Sequence, residues 1–376
     1  MYPNPFTLKE ITAGSAFCDR QEELKDLISF ASSRQNVLLY SPRRYGKTSL
    51  ARKVQSHLVD EGALTAYCDL FGVSSIEDMA GRIARSIFTI TRKDESLFQK
   101  AIRFLASFRP VLSPSPDGGV SVSVQPAFRS GSWELLDDTL EALEKFVLDV
   151  PNLVHVVLDE FQEITEVEDS LRAEGRLRHY IQKMNCGFVF VGSRRRVLLE
   201  MFNDRKRPFF QSTINYELGV LPREETIDFM TTRFAEAGKT LGRDLAASAC
   251  DLLGQHPYYT QKFCFFLFDR VERTVSPEQV SETVRLVLES ERDLFEAILR
   301  RLTAIQRSLL TAIAKEPTNR LFAAEYMARH NLKSTGGIQR SLRVLISEDL
   351  VEQHPTEGTW SMVDPIFRQW LVEKAL

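Results

Sequence analysis

The strongest indication of a chemical role comes from Gly46-Lys47-Thr48, which follow the apolar run Val37–Tyr40 and precede a helical stretch. A strand, a tight loop and a helix N-terminus in this order present backbone N–H groups that can hold a polyphosphate. In such a loop the lysine reaches the terminal phosphates, and the threonine hydroxyl is a ligand for Mg²⁺. The sequence therefore predicts a phosphate-binding loop, with Ser41 at the position where the usual pattern has its first glycine.

Acidic and polar residues stand at the C-terminal ends of other apolar runs. Asp159 and Glu160 follow one run, and Ser193 follows the next. Because the carboxyl ends of parallel strands meet at one edge of a sheet, these residues are expected to lie beside the phosphate loop. Asp159 would hold Mg²⁺, Glu160 would deprotonate an attacking water, and Ser193 would hydrogen-bond that water or the γ-phosphate. The alternative for the acidic pair is a turn after a core strand, and for Asp69, at an earlier strand end, a loop cap.

The elements that would position these residues alternate between apolar strands and amphipathic helices. Strands are expected at 37–40, 63–70, 153–158 and 187–193, and helices at 49–58, 75–91, 132–147 and 171–185. This alternation predicts an α/β fold with a parallel sheet and helices on both faces. Residues 92–132 break the pattern with prolines, Gly118-Gly119 and an alternating Val-Ser segment, which indicates a helix near 100–108 and then a loop or hairpin insertion.

The C-terminal half has a different character. The strand signal fades from about residue 216, and helices dominate to about residue 300. Residues 303–376 then combine three short helices with two short strands around a turn, which is the pattern of a winged helix-turn-helix. We therefore predict an α/β phosphate-loop domain at 1–215, a helical lid domain at 216–302 and a winged helix at 303–376. More than one domain also agrees with the length of 376 residues.

Composition narrows the functional classes. The net charge is −3, so nucleic acid would have to meet a local basic patch. Five scattered cysteines without a C-x-x-C pair argue against a zinc site and a disulfide framework and are typical of a reducing compartment. The N-terminus lacks the features of a signal peptide, and no apolar run has the length of a membrane span. A cytoplasmic protein without a membrane partner is expected.

Six motifs together resemble the archaeal-type ATPase family within the AAA+ and STAND group of P-loop NTPases. In chain order they are FCDRQEEL at 17–24, SPRRYGKTS at 41–49, DEFQ at 159–162, GS at 192–193, GQHP at 254–257 and DPIFRQW at 364–370. The resemblance implies an AAA+-like α/β core followed by a helical lid and a winged helix, with ATP or ADP and Mg²⁺ as ligands. Asp19, Ser41 and Gln255 stand where the family pattern has glycine.

The resemblance also implies individual roles. Phe17 and Arg20 would border the adenine, and Pro257 would close over it, unless this proline only starts a helix. The expected phosphate-loop contacts come from Ser41, Pro42, Arg43, Arg44, Tyr45, Gly46, Lys47, Thr48 and Ser49. The expected catalytic set is Lys47, Glu160, Ser193 and Arg194, and the expected metal ligands are Thr48 and Asp159.

Arginine is concentrated directly after the fourth predicted strand, as Arg194-Arg195-Arg196. One of these side chains, with Arg194 placed in the catalytic set, would serve as an arginine finger, either in cis or from a neighbour in a homo-oligomer. The alternative is a solvated face or a patch for a partner.

The predicted function is an ATP-binding and ATP-hydrolysing switch or motor that couples nucleotide state to the winged helix and acts on an unidentified protein partner. Two alternatives stay open. One is a weakly hydrolysing, nucleotide-gated adaptor, and the other is a regulator that binds DNA through the winged helix. For the second, Lys333, Arg340 and Arg343 lie on the predicted reading helix or its approach, with acidic residues following closely.

Overall fold

The computed structural model describes residues 3–8, 18, 20–91, 94–114, 120–127, 131–354 and 356–374. Their contacts divide the chain into two compact units. The N-terminal unit consists of Gln21–Arg43 and Lys47–Leu218, and the C-terminal unit of Met1–Arg20, Arg44–Gly46 and Gly219–Leu376. The three-domain boundaries expected from the sequence stay a prediction.

In the described part of the N-terminal unit there are seven strands and seven α-helices. The strands are β1 Val37–Tyr40, β2 Leu64–Asp69, β3 Phe108–Pro114, β4 Val120–Pro126, β5 Val154–Asp159, β6 Gly187–Gly192 and β7 Ile214–Glu217. The helices are α1 Gln21–Ser32, α2 Lys47–Asp60, α3 Ile76–Thr91, α4 Glu95–Phe104, α5 Ser132–Asp149, α6 Ser170–Ile181 and α7 Arg195–Asn203, with a 3₁₀ helix at Phe161–Glu166.

Five strands form one parallel sheet in the order β2-β5-β6-β1-β7. Every residue of β5 and β6 is buried, which requires cover on both faces of the sheet. The cover includes α3, whose buried residues Ile76, Met79, Ile83 and Ile87 recur at helical spacing. The α/β fold expected from the sequence is therefore confirmed, and its strand ends stand along one edge.

Two elements differ from the sequence prediction. The helix expected at 100–108 instead spans Glu95–Phe104, because Asp94 caps its start by accepting from the Leu97 N–H, and Phe108 already opens β3. Strand β7 was not predicted, because it is a four-residue edge strand without a buried side chain and hence without an apolar signal. Of the loop or hairpin expected within the insertion, the structure contains the hairpin, which is the antiparallel pair β3–β4.

The C-terminal unit is mainly helical. Its elements are α8 Arg223–Glu236, α9 Arg243–Leu252, α10 Pro257–Arg270, α11 Pro277–Arg301, α12 Ala304–Lys315, α13 Ala324–Arg329, α14 Thr335–Ser347, β8 Val351–Gln353, β9 Trp360–Met362 and α15 Pro365–Lys374. Capping boxes at Ser276 and Thr303 start α11 and α12. Helices α12–α14 and the β8–β9 wing form the predicted winged helix, and Phe295 of α11 stacks on Phe367 of α15 at 4.6 Å between ring centroids.

Among the described residues, no helix is both long enough and apolar enough to cross a bilayer.

The core of the N-terminal unit contains a buried histidine. Its titration should make the stability of the folded state depend on pH. His155 of β5 is 1% exposed, its ring nitrogens have no hydrogen-bond partner among the described residues, and burial lowers its pKa from 6.5 to about 4. Between these pH values the unfolded chain takes up a proton that the folded chain does not. The folded state therefore loses stability as pH falls, by up to about 1.4 kcal/mol per pH unit.

We expect His155→Leu to remove this acid sensitivity. Urea unfolding midpoints measured from pH 7 to pH 4.5 should fall less steeply in the variant than in the parent. His57→Leu, at an exposed position of α2, is the matched control and should keep the parental slope. Equal slopes for His155→Leu and the parent would contradict a buried neutral imidazole.

Candidate functional site

The phosphate loop joins β1 to α2, and its lysine is the first residue of that helix. Lys47 is 6% exposed, and its Nζ donates to the main-chain oxygens of Ser41 (3.0 Å) and Pro42 (2.8 Å) and to Ser41 Oγ (3.2 Å). Ser49, in the first turn of α2, is half-buried. The ammonium therefore lies against the loop at the helix N-terminus, where a bound anion gains from both charges.

Serine at the first position of the loop is compatible with the local backbone. Within the described loop, positive φ occurs at Arg44 (66°) and Gly46 (87°), so the conformation that favours glycine is needed there and not at Ser41. The Ser41 hydroxyl is fully buried and also donates to the Pro42 carbonyl at 3.2 Å. This departure from the usual pattern adds a polar contact to the loop.

Asp159 at the end of β5 is the polar centre of this edge. It is 5% exposed, and its Oδ2 accepts from Thr48 Oγ1 at 2.8 Å and from the Tyr67 hydroxyl. Its Oδ1 accepts from the Glu160 N–H at 2.8 Å. The structure therefore brings together the two predicted metal ligands, which are 111 positions apart in sequence.

The side-chain oxygens of Thr48 and Asp159 could supply two of the ligands of Mg²⁺. Thr48 and Asp159 supply a hydroxyl and a carboxylate, which are oxygen ligands of the kind Mg²⁺ prefers. Over the described ranges, no group of three or more His, Cys, Asp or Glu side chains could hold a metal ion by itself. Such a pair fits a cation that takes its other ligands from substrate phosphates and water.

Glu160 follows Asp159 in a left-handed conformation, with φ of 51°. Its Oε2 accepts from Ser193 Oγ at 3.2 Å and from the side-chain amide of Gln162. Two expected catalytic residues are thus in contact. The contacts of Gln162 and Tyr67 were not predicted, although Gln162 belongs to the DEFQ motif. Asp69 accepts from the Phe71 N–H at 2.8 Å, which supports the loop-cap explanation.

The arginines after β6 differ in exposure, because the Arg195 side chain is only 14% exposed. Arg194 forms an ion pair with Glu166 at 2.6 Å, and both side chains are exposed. Arg195 lies 3.8 Å from Glu217, and Arg196 is exposed. Surface pairs of this kind contribute little, so Arg194 can leave Glu166 at small cost.

Several expected nucleotide contacts belong to the C-terminal unit. Phe17 lies outside the described residues. Arg20 is 3% exposed and donates to the main-chain oxygens of Gly219 (2.7 Å), Tyr45 (3.3 Å) and Val220 (3.5 Å). Of the remaining loop residues, Pro42 is buried and Arg43 is exposed.

Arg44 contacts helix α11 within the C-terminal unit. Its Nη1 lies 3.2 Å from Glu291, and its guanidinium stacks 4.3 Å from the centre of the Tyr258 ring. Glu291 is 4% exposed and also accepts from Lys262 at 2.6 Å and from the Tyr258 hydroxyl at 3.1 Å. A buried carboxylate with three donors of this kind is well satisfied, and breaking one of them should be costly.

The GQHP motif forms the start of α10. Pro257 is the first residue of that helix, as the helix-start explanation requires. Gln255 has φ of 52°, so it adopts the left-handed conformation for which glycine would be preferred. Gly254 has φ of 61°, and a Cβ added there would lie 2.9 Å from Pro365 Cβ. The motif therefore packs against the DPIFRQW motif.

Asp364 reinforces this contact. It accepts from the Tyr259 hydroxyl at 2.6 Å and from the N–H groups of Ile366 and Phe367 at 2.9 Å each. These bonds cap α15 and join it to α10, and burial raises the pKa of the Asp364 carboxyl.

Comparisons with known proteins agree with this architecture. A family model described as a probable winged helix domain matches residues 293–373. A search of curated proteins finds no match to the sequence. Among solved structures, the chain is similar to a Walker-type ATPase of Pyrococcus abyssi, with a TM-score of 0.73 and 16% identity over 98% of this chain and 99% of that chain.

Two proteins of Aeropyrum pernix are also similar in fold. The ORC2 protein in its ADP form has a TM-score of 0.53 and 17% identity over 94% of each chain. The ORC1 protein in complex with DNA has a TM-score of 0.50 and 16% identity over 98% of this chain and 94% of that chain. The chain thus has the fold of archaeal P-loop ATPases with a C-terminal winged helix, as the motif resemblance predicted. At such identities the similarity shows the fold alone.

The contact at Gly254 can be tested by adding one methyl group. Gly254→Ala places a left-handed alanine, which costs about 1–2 kcal/mol, and adds an overlap with Pro365 worth about 1–3 kcal/mol more. Gly358→Ala is the matched control, since φ is 65° and the nearest atom is 3.7 Å away. Thermal unfolding should show the larger loss for Gly254→Ala, and equal losses would refute the overlap.

Proposed function

We propose that this protein binds ATP with Mg²⁺ at the phosphate loop, hydrolyses it, and uses the nucleotide state to control its winged helix and a protein partner. The observation that carries the proposal is the 2.8 Å hydrogen bond between Thr48 and Asp159. It joins the phosphate loop to the acidic strand end, with Glu160 as the next residue. This arrangement has the parts that hydrolysis of a γ-phosphate needs.

ATP binding would use positively charged groups that already lie at the phosphate loop. Lys47 donates to neutral oxygens of Ser41 and Pro42, and phosphate oxygens are stronger acceptors for the same ammonium. The N-terminus of α2 adds partial positive charge at the same place. Thr48 and Asp159 would hold Mg²⁺, which when bound neutralises negative charge on the phosphates.

Hydrolysis would use Glu160 as the general base. Its carboxylate accepts the proton of the attacking water, so that the water oxygen can form the new bond to phosphorus as the bond to ADP breaks. Ser193 donates to Oε2 of the same carboxylate at 3.2 Å and so helps to orient it. The products are ADP and phosphate.

Two substitutions separate binding from chemistry. Lys47→Ala should lower ATP affinity by tenfold or more, because it removes the loop ammonium assigned to the terminal phosphates. Glu160→Gln should keep binding but reduce turnover by about 10²-fold or more, since an amide cannot accept the proton. Binding of a fluorescent ATP analogue and phosphate release measure the two effects.

Lys145→Ala is the control for this pair, because Lys145 pairs with Glu141 on the exposed face of α5. It should leave binding and turnover unchanged. Undiminished ATP binding by Lys47→Ala would show that the site assignment is wrong. Turnover near background with persistent ADP would instead favour a weakly hydrolysing adaptor.

The same proposal includes Arg194 as the arginine finger that contacts the γ-phosphate. Its weak surface pair with Glu166 would have to open so that the guanidinium could reach a γ-phosphate, in its own chain or in a second copy. Turnover per chain that rises with protein concentration would favour the second copy.

DNA binding through the winged helix is a second candidate function. Lys333, Arg340 and Arg343 are exposed, and none of the three has an ion-pair partner in the described part of the chain. Arg340 and Arg343 are three residues apart on α14, so they share one face. The similar ORC1 structure contains DNA, which makes a duplex the first nucleic acid to test.

The double substitution Arg340→Ala/Arg343→Ala should weaken duplex binding at all sequences. Fluorescence anisotropy from 50 to 200 mM salt should show a slope of log K on log salt that is smaller by about 2, one for each lost phosphate contact. Arg329→Ala is the control, because Arg329 on α13 already pairs with Glu316. Absence of parental binding at 50 mM salt would remove this candidate.

A further inference from the structure

The amide of Gln162 lies beside Glu160 at the carboxyl edge of the sheet, and the proposed function gives it no role. Gln162 is fully buried in the 3₁₀ helix that follows the acidic pair. Its Nε2 donates to Oε2 of Glu160, the same oxygen that accepts from Ser193 Oγ. One carboxylate oxygen is therefore held by two donors that come from different elements.

The position of this amide is determined by its surroundings. The preceding residue, Phe161, is fully buried and packs against Phe190 at 4.6 Å and Phe209 at 5.4 Å between ring centroids. The main-chain oxygen of Gln162 also accepts from Thr165 Oγ1 at 2.8 Å. The backbone from which the side chain extends is thus anchored on both sides.

Strand β6 leaves room for the amide by ending in glycine. A Cβ added at Gly192 would lie 2.0 Å from Gln162 Oε1 and 3.2 Å from its Cδ. Any other residue at this position would displace the amide from Glu160. The glycine of the GS motif and the glutamine of the DEFQ motif are therefore complementary in shape.

Burying the Gln162 amide has an energetic cost, so filling the core does not by itself explain a glutamine at this position. Gln162 Oε1 is buried and has no hydrogen-bond partner among the described residues. Leaving a buried acceptor unsatisfied is unfavourable, and an apolar side chain of similar size would avoid that cost. The amide does gain a charge-assisted bond to the carboxylate, which is among the stronger hydrogen bonds in proteins.

We propose that Gln162 is a positioning residue for hydrolysis. Together with Ser193 it holds the Glu160 carboxylate, on a backbone with φ of 51°, in the orientation from which it takes a proton from water. The inference rests on the proposed ATPase function, and it adds to it a residue that does not touch the substrate. A glutamine that only fills the core would have no selective effect on turnover.

The test is Gln162→Leu, with Gln162→Met as a second variant of similar volume. ATP affinity and KM should stay within about threefold of the parent, while kcat falls about tenfold or more with the loss of a hydrogen bond to a charged group. In the Glu160→Gln background the same substitution should cost less than twofold, because the group that it positions is already gone.

Gln55→Leu is the matched control. Gln55 is 5% exposed in the same unit, and its Nε2 donates to the Ala66 carbonyl at 2.7 Å. It loses a comparable buried bond that does not involve Glu160 and should keep kcat within twofold of the parent.

The outcomes separate this inference from the function on which it rests. Parental kcat in both Gln162 variants overturns the positioning role and leaves the ATPase proposal intact. Loss of ATP binding with kcat, or an undiminished effect in the Glu160→Gln background, also overturns it. A parent without turnover overturns both.

Discussion

The contact between Thr48 and Asp159 is the constraint on which the site depends. The two residues follow β1 and end β5, and these strands are separated in the sheet only by β6. Because all three strands are parallel, their carboxyl ends stand at one edge, and the residue after β6, Ser193, lies between them. The strand order thus brings together a loop, an acidic pair and a hydroxyl that are far apart in the sequence.

The charged groups at this edge are buried or half-buried, and each of them has hydrogen-bond partners. Asp159 accepts three hydrogen bonds, Lys47 donates to three oxygens, and Glu160 accepts two. Buried charges persist only with such partners, and the same partners restrict how the side chains can turn. The site is therefore oriented by the fold before any ligand arrives, which is the condition under which electrostatic stabilisation of a reaction is most effective.

The C-terminal unit contains a second set of polar contacts with a different purpose. Glu291 of α11 holds Arg44, and α11 continues into the region that matches the winged helix model. Gly254 and Asp364 join the start of α10 to α15 of the winged helix. The proposal couples nucleotide state to the winged helix. These contacts would serve it, because Arg44 of the phosphate loop contacts α11, and α11 extends into the region that matches the winged helix model.

The parallel sheet, the phosphate loop, the acidic strand end and the winged helix could be predicted from the sequence, because each has a local signature of hydrophobic periodicity or residue spacing. Which side chains meet could not be predicted in this way. The hydroxyl of Tyr67 on Asp159, the amide of Gln162 on Glu160 and the surface pairing of Arg194 depend on neighbours that are distant in sequence. Side-chain direction and partner are set by the packed strand order, which no local pattern encodes.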